Sequence, residues 1–435
     1  MVRRLGAPRW VPEATLDDIL CDGTWNRPSV FRVPDSHLWR ALYNGVTYEN
    51  GKRVVLGMMM AESEDGIHWT KPDLSQVVPM ENRRLPNQVF MANNGGPAFF
   101  DPRDPDPSRR LKFFYSASAS FTDKRGQRYL TSADGIHWRE AGTWGERPLD
   151  APISLFYNAH RDSYIISNRP INGDRRVAFI ETRDFEHFSE PHLVVYPDPE
   201  DPPLMQFYGM TVFGYEGMYV GLLLRMHTEP SELHKMHGRM DCALTYSYNG
   251  WNFNRAFHQP FIPLNPRGEQ GSGVIYPSSL HVDDEHQIRI YSSGSRAGHF
   301  HRPEPLDAAL MLHTLRLDGF AYLEPESMIG SITTRKLRIT GDSLQLNVKA
   351  PHGGVRVRIL DDKGTPVPGM DYADAVQFEG DELFYTPTWR GGNRLGQLVG
   401  REVYLEVEVT HGEIYAIRGD FEVMIGSGVY TTPAV

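Results

Sequence analysis

Short apolar runs separated by polar turns fill the first three quarters of the chain, and they fall into units. Residues 28–33, 97–100, 153–157, 208–213 and 274–280 read as apolar first strands, each followed by a second strand at 37–43, 111–115, 163–167, 218–224 and 288–291. A related turn then recurs. Ser63-Glu64-Asp65-Gly66-Ile67-His68-Trp69 returns as Ser132-Ala133-Asp134-Gly135-Ile136-His137-Trp138, with weaker copies at Ser247-Tyr248-Asn249-Gly250-Trp251-Asn252-Phe253 and Thr182-Arg183-Asp184-Phe185-Glu186-His187-Phe188. A relic stands at Leu317-Asp318-Gly319-Phe320. The spacing of about 50 to 70 residues matches one four-stranded propeller blade with loop insertions. Asp-Gly and Asn-Gly supply the positive φ of a tight turn between antiparallel strands, and the aromatic is expected to wedge between adjacent sheets. These motifs therefore build scaffold and do no chemistry.

Past Glu324-Pro325-Glu326 the texture changes. Residues 344–348, 355–360 and 403–409 alternate apolar and polar positions between Gly and Pro punctuation, the pattern of strands with one buried face in a small sandwich. The predicted fold is all-β: a five-bladed β-propeller over residues 1–326, closed so that no long strand edge is bare, followed by a β-sandwich over 327–435 that braces it.

Composition agrees and excludes some functions. Forty glycines and 32 prolines suit a turn-rich β protein, and a formal charge of −10 gives no footprint for nucleic acid while leaving room for a local basic pocket. Cys21 and Cys242 are too few for a disulfide framework. Arg3 and Arg4 are followed by no apolar run of a secretory signal, and no segment is long enough to span a membrane, so a soluble, cytoplasmic protein is expected. Zinc-type Cys/His spacing, a phosphate-cradling glycine loop and a Gly-x-Ser-x-Gly elbow are all missing, so neither cofactor nor metal is expected.

In a propeller, first strands start at the channel mouth, and the loops joining second and third strands return to that face. Three carboxylates precede first strands: Asp22, Asp150 and Glu269. The second-to-third strand loops are rich in bases: Arg169; Arg225, His227, His234, Lys235, His237 and Arg239; Arg296, His299 and His301. Arginines converging there suit a carboxylate or other anionic group on a substrate; pairing with Glu229, Glu232, Asp241 or Glu304 is the alternative. The loop histidines lack regular metal-ligand spacing. Trp25 and Tyr208 are candidates for stacking on a sugar face.

The layout resembles the five-bladed glycoside hydrolase superfamily of the family 32 fructosidases and family 43 arabinosidases and xylosidases, and is most similar to bacterial family 32-like hydrolases with a C-terminal sandwich. The residues carrying this are the two Ser-x-Asp-Gly-Ile-His-Trp turns, the run from Tyr208-Gly209-Met210 to Gly221-Leu222-Leu223, Gly273-Val274-Ile275-Tyr276, Leu315-Arg316-Leu317-Asp318-Gly319-Phe320, and, in the sandwich, Val355-Arg356-Val357, Pro366-Val367-Pro368-Gly369 and Val399-Gly400-Arg401. Where fructosidases open with Trp-Met-Asn-Asp-Pro, this chain has Cys21-Asp22-Gly23-Thr24-Trp25-Asn26-Arg27-Pro28, and Gln270-Gly271 stands where the relatives tend to show Trp-Asp. The resemblance implies hydrolysis of a small oligosaccharide by an exo-acting glycosidase, with Asp22 as base or nucleophile, Asp150 as acid and Glu269 as a rival acid. Trp25, Asn26, Arg27, Asn94, Arg169, Tyr208, Arg225, His227, Arg296 and His299 would bind substrate. The position of a transition-state stabiliser offers only Asn93 and Asn94. Arg103-Asp104-Pro105 copies a family 32 signature, but it follows residues 97–100 and so belongs to a hairpin on the opposite face. Two rival readings remain: a lyase cleaving beside a uronic acid, with arginine neutralising the carboxylate and histidine or tyrosine taking the α-proton, and a non-catalytic carbohydrate-binding propeller.

Overall fold

The computed structural model describes the chain apart from residues 17–26, 34–35, 51, 82, 93–94, 118–125, 146–152, 170–174, 229–236, 300–306, 393, 426–427 and 431–435. The described residues are all-β, with 27 strands, two 3-10 turns and no α-helix. No helix is long and apolar enough to cross a membrane.

Three four-stranded antiparallel sheets follow one another in sequence. Sheet I takes Ser29–Arg32, Trp39–Glu49, Lys52–Ser63 and Gln88–Phe90. Sheet II takes Phe99–Phe100, Leu111–Ala117, Gly126–Ser132 and Arg139–Gly145, and sheet III takes Ser154–Asn158, Ser163–Asn168, Val177–Thr182 and His192–Val195. Sheet IV has seven strands in the order Met205–Tyr215, Met218–Thr228, Gly238–Ser247, Val274–Val282, Gln287–Ser295, Ala309–Arg316 and Arg9–Leu16. Its third and fourth strands meet in parallel at one pair, Met240 with Val274, so it divides into a group of three and a group of four. The outermost place in the second group is filled from the N-terminus: Arg9–Leu16 pairs antiparallel with Ala309–Arg316.

Sheet V orders Val2–Leu5, Ala321–Glu324, Glu413–Ile425, Leu337–Asp361, Glu402–Thr410 and Ile329–Thr333; Phe378–Tyr385 adds to Leu337–Asp361 and Gly428–Tyr430 to Glu413–Ile425. Alternation along Glu402–Thr410 turns Val403, Leu405, Val407 and Val409 into a core with Leu346, Val357, Ile359 and Trp389. Two compact units result: Met1–Ala7 and Val282–Ile288 with Leu315–Thr432, and Pro8–His281 with Arg289–Thr314.

Within the second unit, apolar side chains fill the spaces between consecutive sheets. Phe31, Leu42 and Met60 of sheet I meet Leu111, Phe113 and Leu130 of sheet II. Phe114 and Tyr129 of sheet II meet Leu155, Ile166 and Ile180 of sheet III, and Phe156 and Phe179 of sheet III meet Phe207, Met210 and Leu223 of sheet IV. Tyr291, Leu310 and Leu312 of sheet IV meet Val30, Trp39 and Tyr43 of sheet I.

The repeated turns lock these seams. In the sheet II copy, Asp134 Oδ1 accepts from the amides of Ile136 and His137 at 2.8 Å each, Oδ2 lies 2.7 Å from His137 Nδ1, and Ser132 Oγ accepts from Gly135 N at 2.9 Å. Burial alone would raise the Asp134 carboxyl, but the hydrogen bonds from His137 and the two amides bring it down to about 2, so it is ionised at neutral pH. The turn's outer carbonyl then reaches the neighbour: Arg40 Nη1 of sheet I donates to Asp134 O at 2.6 Å. The Asp65 turn repeats the pattern against Arg289 and Tyr291, and Asn249 O accepts from Asn158 Nδ2 at 3.0 Å. Trp69, Trp138 and Trp251 lie 6.2, 5.6 and 5.8 Å from Tyr291, Phe90 and Phe179 of the adjoining sheet, as the turn pattern predicts. Gly135 combines φ +78° with a neighbour so close that a Cβ would meet Phe31 Cζ at 2.5 Å.

Two predictions follow from the packing. Gly135→Ala should lose about 2 to 4 kcal/mol of stability, combining left-handed backbone strain with the steric clash, whereas Gly268→Ala, with φ +97° and open space around it, should lose only about 1; urea unfolding compares them, and equal losses would contradict the seam account. Burial pushes the His313 imidazole from near 6.5 down to about 4, so it is neutral in the fold and charges on unfolding as pH falls. Its contribution is intact above about pH 6.5 and is lost progressively toward pH 4; His313→Leu should flatten the drop in unfolding midpoint between those values.

Candidate functional site

In sheet III and the first group of sheet IV the first strand starts beside the end of the second, as the pairs Ser154 with Ser167 and Met205 with His227 show; in sheets I and II the second strand runs on past the start of the first, from Leu42 to Glu49 and from Lys112 to Ala117. Residues at these strand starts and in the second-to-third connections therefore share one edge of the second unit. The Asp65, Asp134, Asp184 and Asn249 turns close third strands at the opposite edge.

Two tyrosines occupy this edge of sheet IV. Tyr208 is the extra residue of a β-bulge between Phe207 and Gly209, where the register against Met218–Thr228 slips by one. Tyr276 sits on Val274–Val282, and the two rings meet at 5.3 Å and 89°. Both are fully buried in a collar of Leu224, Met226, Met240 and Val274, and neither hydroxyl has a hydrogen-bond partner among the described residues. Arginines from other sheets close on the rings. The Arg169 guanidinium, just past Ser163–Asn168, lies 4.1 Å from the Tyr208 centroid and donates to Tyr208 O at 3.3 Å. Arg175, just before Val177–Thr182, lies 5.5 Å from the same ring and donates to Gln206 Oε1 at 2.7 Å. Arg27, ahead of Ser29–Arg32, lies 5.7 Å from the Tyr276 ring and donates to Gly95 O at 3.3 Å. The buried His299 ring completes the group 4.9 Å from Tyr208, fixed by its backbone amide donating to Gly238 O at 2.7 Å.

The arrangement offers guanidinium charge and phenol donors in an apolar setting, where each is worth more than in water. Among the described residues, the group with metal-ligand geometry is Asp198, Asp201 and His258, and Arg255 already ion-pairs with both aspartates.

The remaining sequence candidates are placed differently. Asp22, Trp25, Asn26, Asn94 and Asp150 lie outside the described residues, as do Cys21, Asn93, His234, Lys235 and His301. Glu269 is exposed, in a turn where Ser272 N donates to Glu269 O at 3.1 Å. Arg225 and His227 converge on Asp241: Arg225 Nε and Nη2 reach its two oxygens at 2.8 and 3.0 Å, and His227 Nε2 lies 2.9 Å from Oδ2. Burial would raise the Asp241 carboxyl, but the hydrogen bonds from His227 and Arg225 carry it below its ordinary value. Arg296 pairs with Asp307 at 2.8 Å and donates to Gly268 O at 3.1 Å. Tyr208 presents no open face for stacking, since its ring is buried. Arg175 and Tyr276 are absent from the sequence-derived set; the visible signals were the basic pair Arg175-Arg176 and a tyrosine ahead of Pro277 inside a strand.

The Arg103-Asp104-Pro105 turn lies at the opposite edge, between Phe99–Phe100 and Leu111–Ala117. Its acid is committed to structure. Buried Lys112 Nζ donates to Asp101 Oδ2 and Asp104 Oδ2 at 2.9 Å each, and Tyr164 Oη donates to Asp101 Oδ2 at 2.8 Å. Beside it opens a cavity of about 300 Å³ lined mainly by first strands, including Phe31, Tyr157, Val212 and Ser279.

No protein-family model and no curated protein matches the sequence. Solved structures do match in fold. An N-acetylgalactosamine deacetylase from F. plautii in complex with blood group B trisaccharide aligns at 15% identity over 73% of this chain and 96% of that one, with a TM-score of 0.50. The two chains share a fold. A Bombyx mori GH32 β-fructofuranosidase aligns at 14% identity over 95% and 94%, TM-score 0.44, and a thermostable family-43 glycoside hydrolase at 11% over 71% and 93%, TM-score 0.44.

Replacing Lys112 by Met would leave two carboxylates buried without their cation. The expected loss is about 3 to 5 kcal/mol in chemical denaturation, and an unchanged midpoint would refute the structural role of the Asp104 turn.

Proposed function

We propose that the protein is a glycosidase acting on a small oligosaccharide, with its second compact unit built as a five-bladed propeller and the unit holding sheet V as its sandwich. The observation that carries this reading is the gathering of Arg27, Arg169, Arg175, Tyr208, Tyr276 and His299 from sequence-distant strands onto one edge. Supporting it is the fold shared with a protein whose structure holds a trisaccharide. Asp22 and Asp150 stand in the segments that lead into Ser29–Arg32 and Ser154–Asn158, which begin at this edge. In this reading Asp22 is the base or nucleophile and Asp150 the acid that protonates the leaving oxygen; Glu269, exposed and also ahead of a first strand, is the rival acid. Trp25, Asn26, Arg27, Asn94, Arg169, Tyr208 and His299 shape the sugar site, Arg225 and His227 border it through Asp241, and Arg296 contributes from its pair with Asp307. Attack from chain ends and a cytoplasmic location belong to the same proposal, and no cofactor enters it.

A second reading is favoured by one feature: arginine, tyrosine and histidine dominate the described part of the edge. In a lyase an arginine would neutralise a uronate carboxylate while tyrosine or histidine removed the α-proton; the C–O bond to the leaving sugar would break, its oxygen taking a proton, and a carbon–carbon double bond would form.

A screen of aryl glycosides and uronic-acid oligosaccharides separates these. For a glycosidase, Asp22→Asn and Asp150→Asn should each lower kcat by about 10²- to 10⁴-fold, with Glu269→Gln close to the parent unless it is the acid. Unsaturated product absorbing in the ultraviolet would select the lyase, and sugar binding without turnover would select a binding propeller. Unchanged turnover in all three variants would remove the proposed machinery.

A further inference from the structure

The cavity beside the Arg103-Asp104-Pro105 turn draws its lining mainly from the first strands of sheets I to III and of both groups in sheet IV, and its volume of about 300 Å³ is that of a small-ligand pocket. Its walls are largely apolar: Val30, Phe99, Phe156, Val212 and Leu280 line it. The polar side chains among them are already committed to main chain. Ser154 Oγ accepts from Val212 N at 3.2 Å, and Thr211 Oγ1 donates to Pro277 O at 2.9 Å. Ser279 Oγ accepts from Val30 N at 2.9 Å, and His281 Nε2 donates to Val30 O at 2.8 Å. A sugar entering here would give up its hydrogen bonds to water and find few in return.

One polar group is left over. Among the described residues lining the cavity none is acidic, and Arg103 carries the permanent charge. The two acids of its own turn, Asp101 and Asp104, are buried against Lys112. The Arg103 guanidinium instead lies 3.9 Å from the centroid of the Tyr157 ring, which is tethered by its hydroxyl donating to Asp162 at 2.5 Å. Among the described residues no carboxylate comes within ion-pair distance of that guanidinium. A guanidinium stacked by one face keeps its N–H edge for a planar anion.

We propose that this cavity binds a small aromatic carboxylate, its ring among Phe99, Phe156 and Val212 and its carboxylate on the Arg103 fork. The charge match selects the carboxylate, and the scarcity of spare hydrogen-bonding groups selects an apolar body over a sugar. The site lies at the edge opposite the tyrosine pair and does not depend on the glycosidase reading.

Calorimetric titration of the full-length protein with phenylacetate, phenylacetamide and cellobiose tests the proposal, with Arg103→Gln and Arg103→Lys titrated alongside. Arg103 is exposed, so both variants keep the fold. Phenylacetate should bind about 10- to 100-fold more tightly than phenylacetamide, the range expected for hydrogen bonds to a charged group. Arg103→Gln should erase that preference, whereas Arg103→Lys, which keeps the charge and loses the fork, should retain about a tenth of the parental affinity. Phenylacetate left unbound by the folded protein, or bound no better than its amide, would overturn the proposal. Parental affinity in Arg103→Gln would overturn it as well, and competition of cellobiose with phenylacetate would assign the cavity to a sugar instead.

Discussion

The second compact unit depends on how one sheet is fastened to the next, and the fastening is a carboxylate that satisfies a turn from within. Asp134 takes two backbone amides and an imidazole, which leaves the turn's carbonyl facing outward for Arg40 of the neighbouring sheet. Gly135 then lets the turn lie against Phe31 with no Cβ between them. The same construction recurs at Asp65 and, with asparagine, at Asn249. At Asp184, Phe185 occupies the glycine position at φ +60° and inserts its own ring near Phe114 and Tyr164. Each seam thus combines apolar burial, which supplies most of the stabilisation, with a polar clasp that fixes register.

Fastening at one edge leaves the other edge available for chemistry. Strand starts and second-to-third connections there hold Arg27, Arg169, Arg175, Tyr208, Tyr276 and His299. Several buried charges are paired: Lys112 with Asp101 and Asp104, Arg225 and His227 with Asp241, Arg255 with Asp198 and Asp201. Tyr208 and Tyr276 differ from these ion groups in that their buried hydroxyls have no partner among the described residues, a property shared with Ser167 and Ser292.

Much of this is legible in the sequence because it is local. The Asp-Gly-x-His-Trp turns declare themselves through residues within a few positions of one another, and alternation along residues 403–409 identifies one buried face. What escapes is non-local. The strand Arg9–Leu16 pairs with Ala309–Arg316 across some three hundred residues, and nothing in its own pattern announces that partner. The sequence offers Asp241 as one of four acids to partner the loop arginines, and the register of two strands is what sets it directly opposite Arg225. The Tyr208 bulge is equally invisible, since an extra residue exists only relative to the strand beside it. Arg175 and Tyr276 acquire meaning only when sheets III and IV meet.

The central claim is that sugar chemistry belongs to the edge bearing the tyrosine pair. A crystal structure of the protein soaked with a small oligosaccharide substrate tests it most directly. The account predicts a sugar seated at the edge where Ser154–Asn158 and Met205–Tyr215 begin. A sugar seated instead in the cavity near Arg103 and Tyr157 at the opposite edge would contradict it.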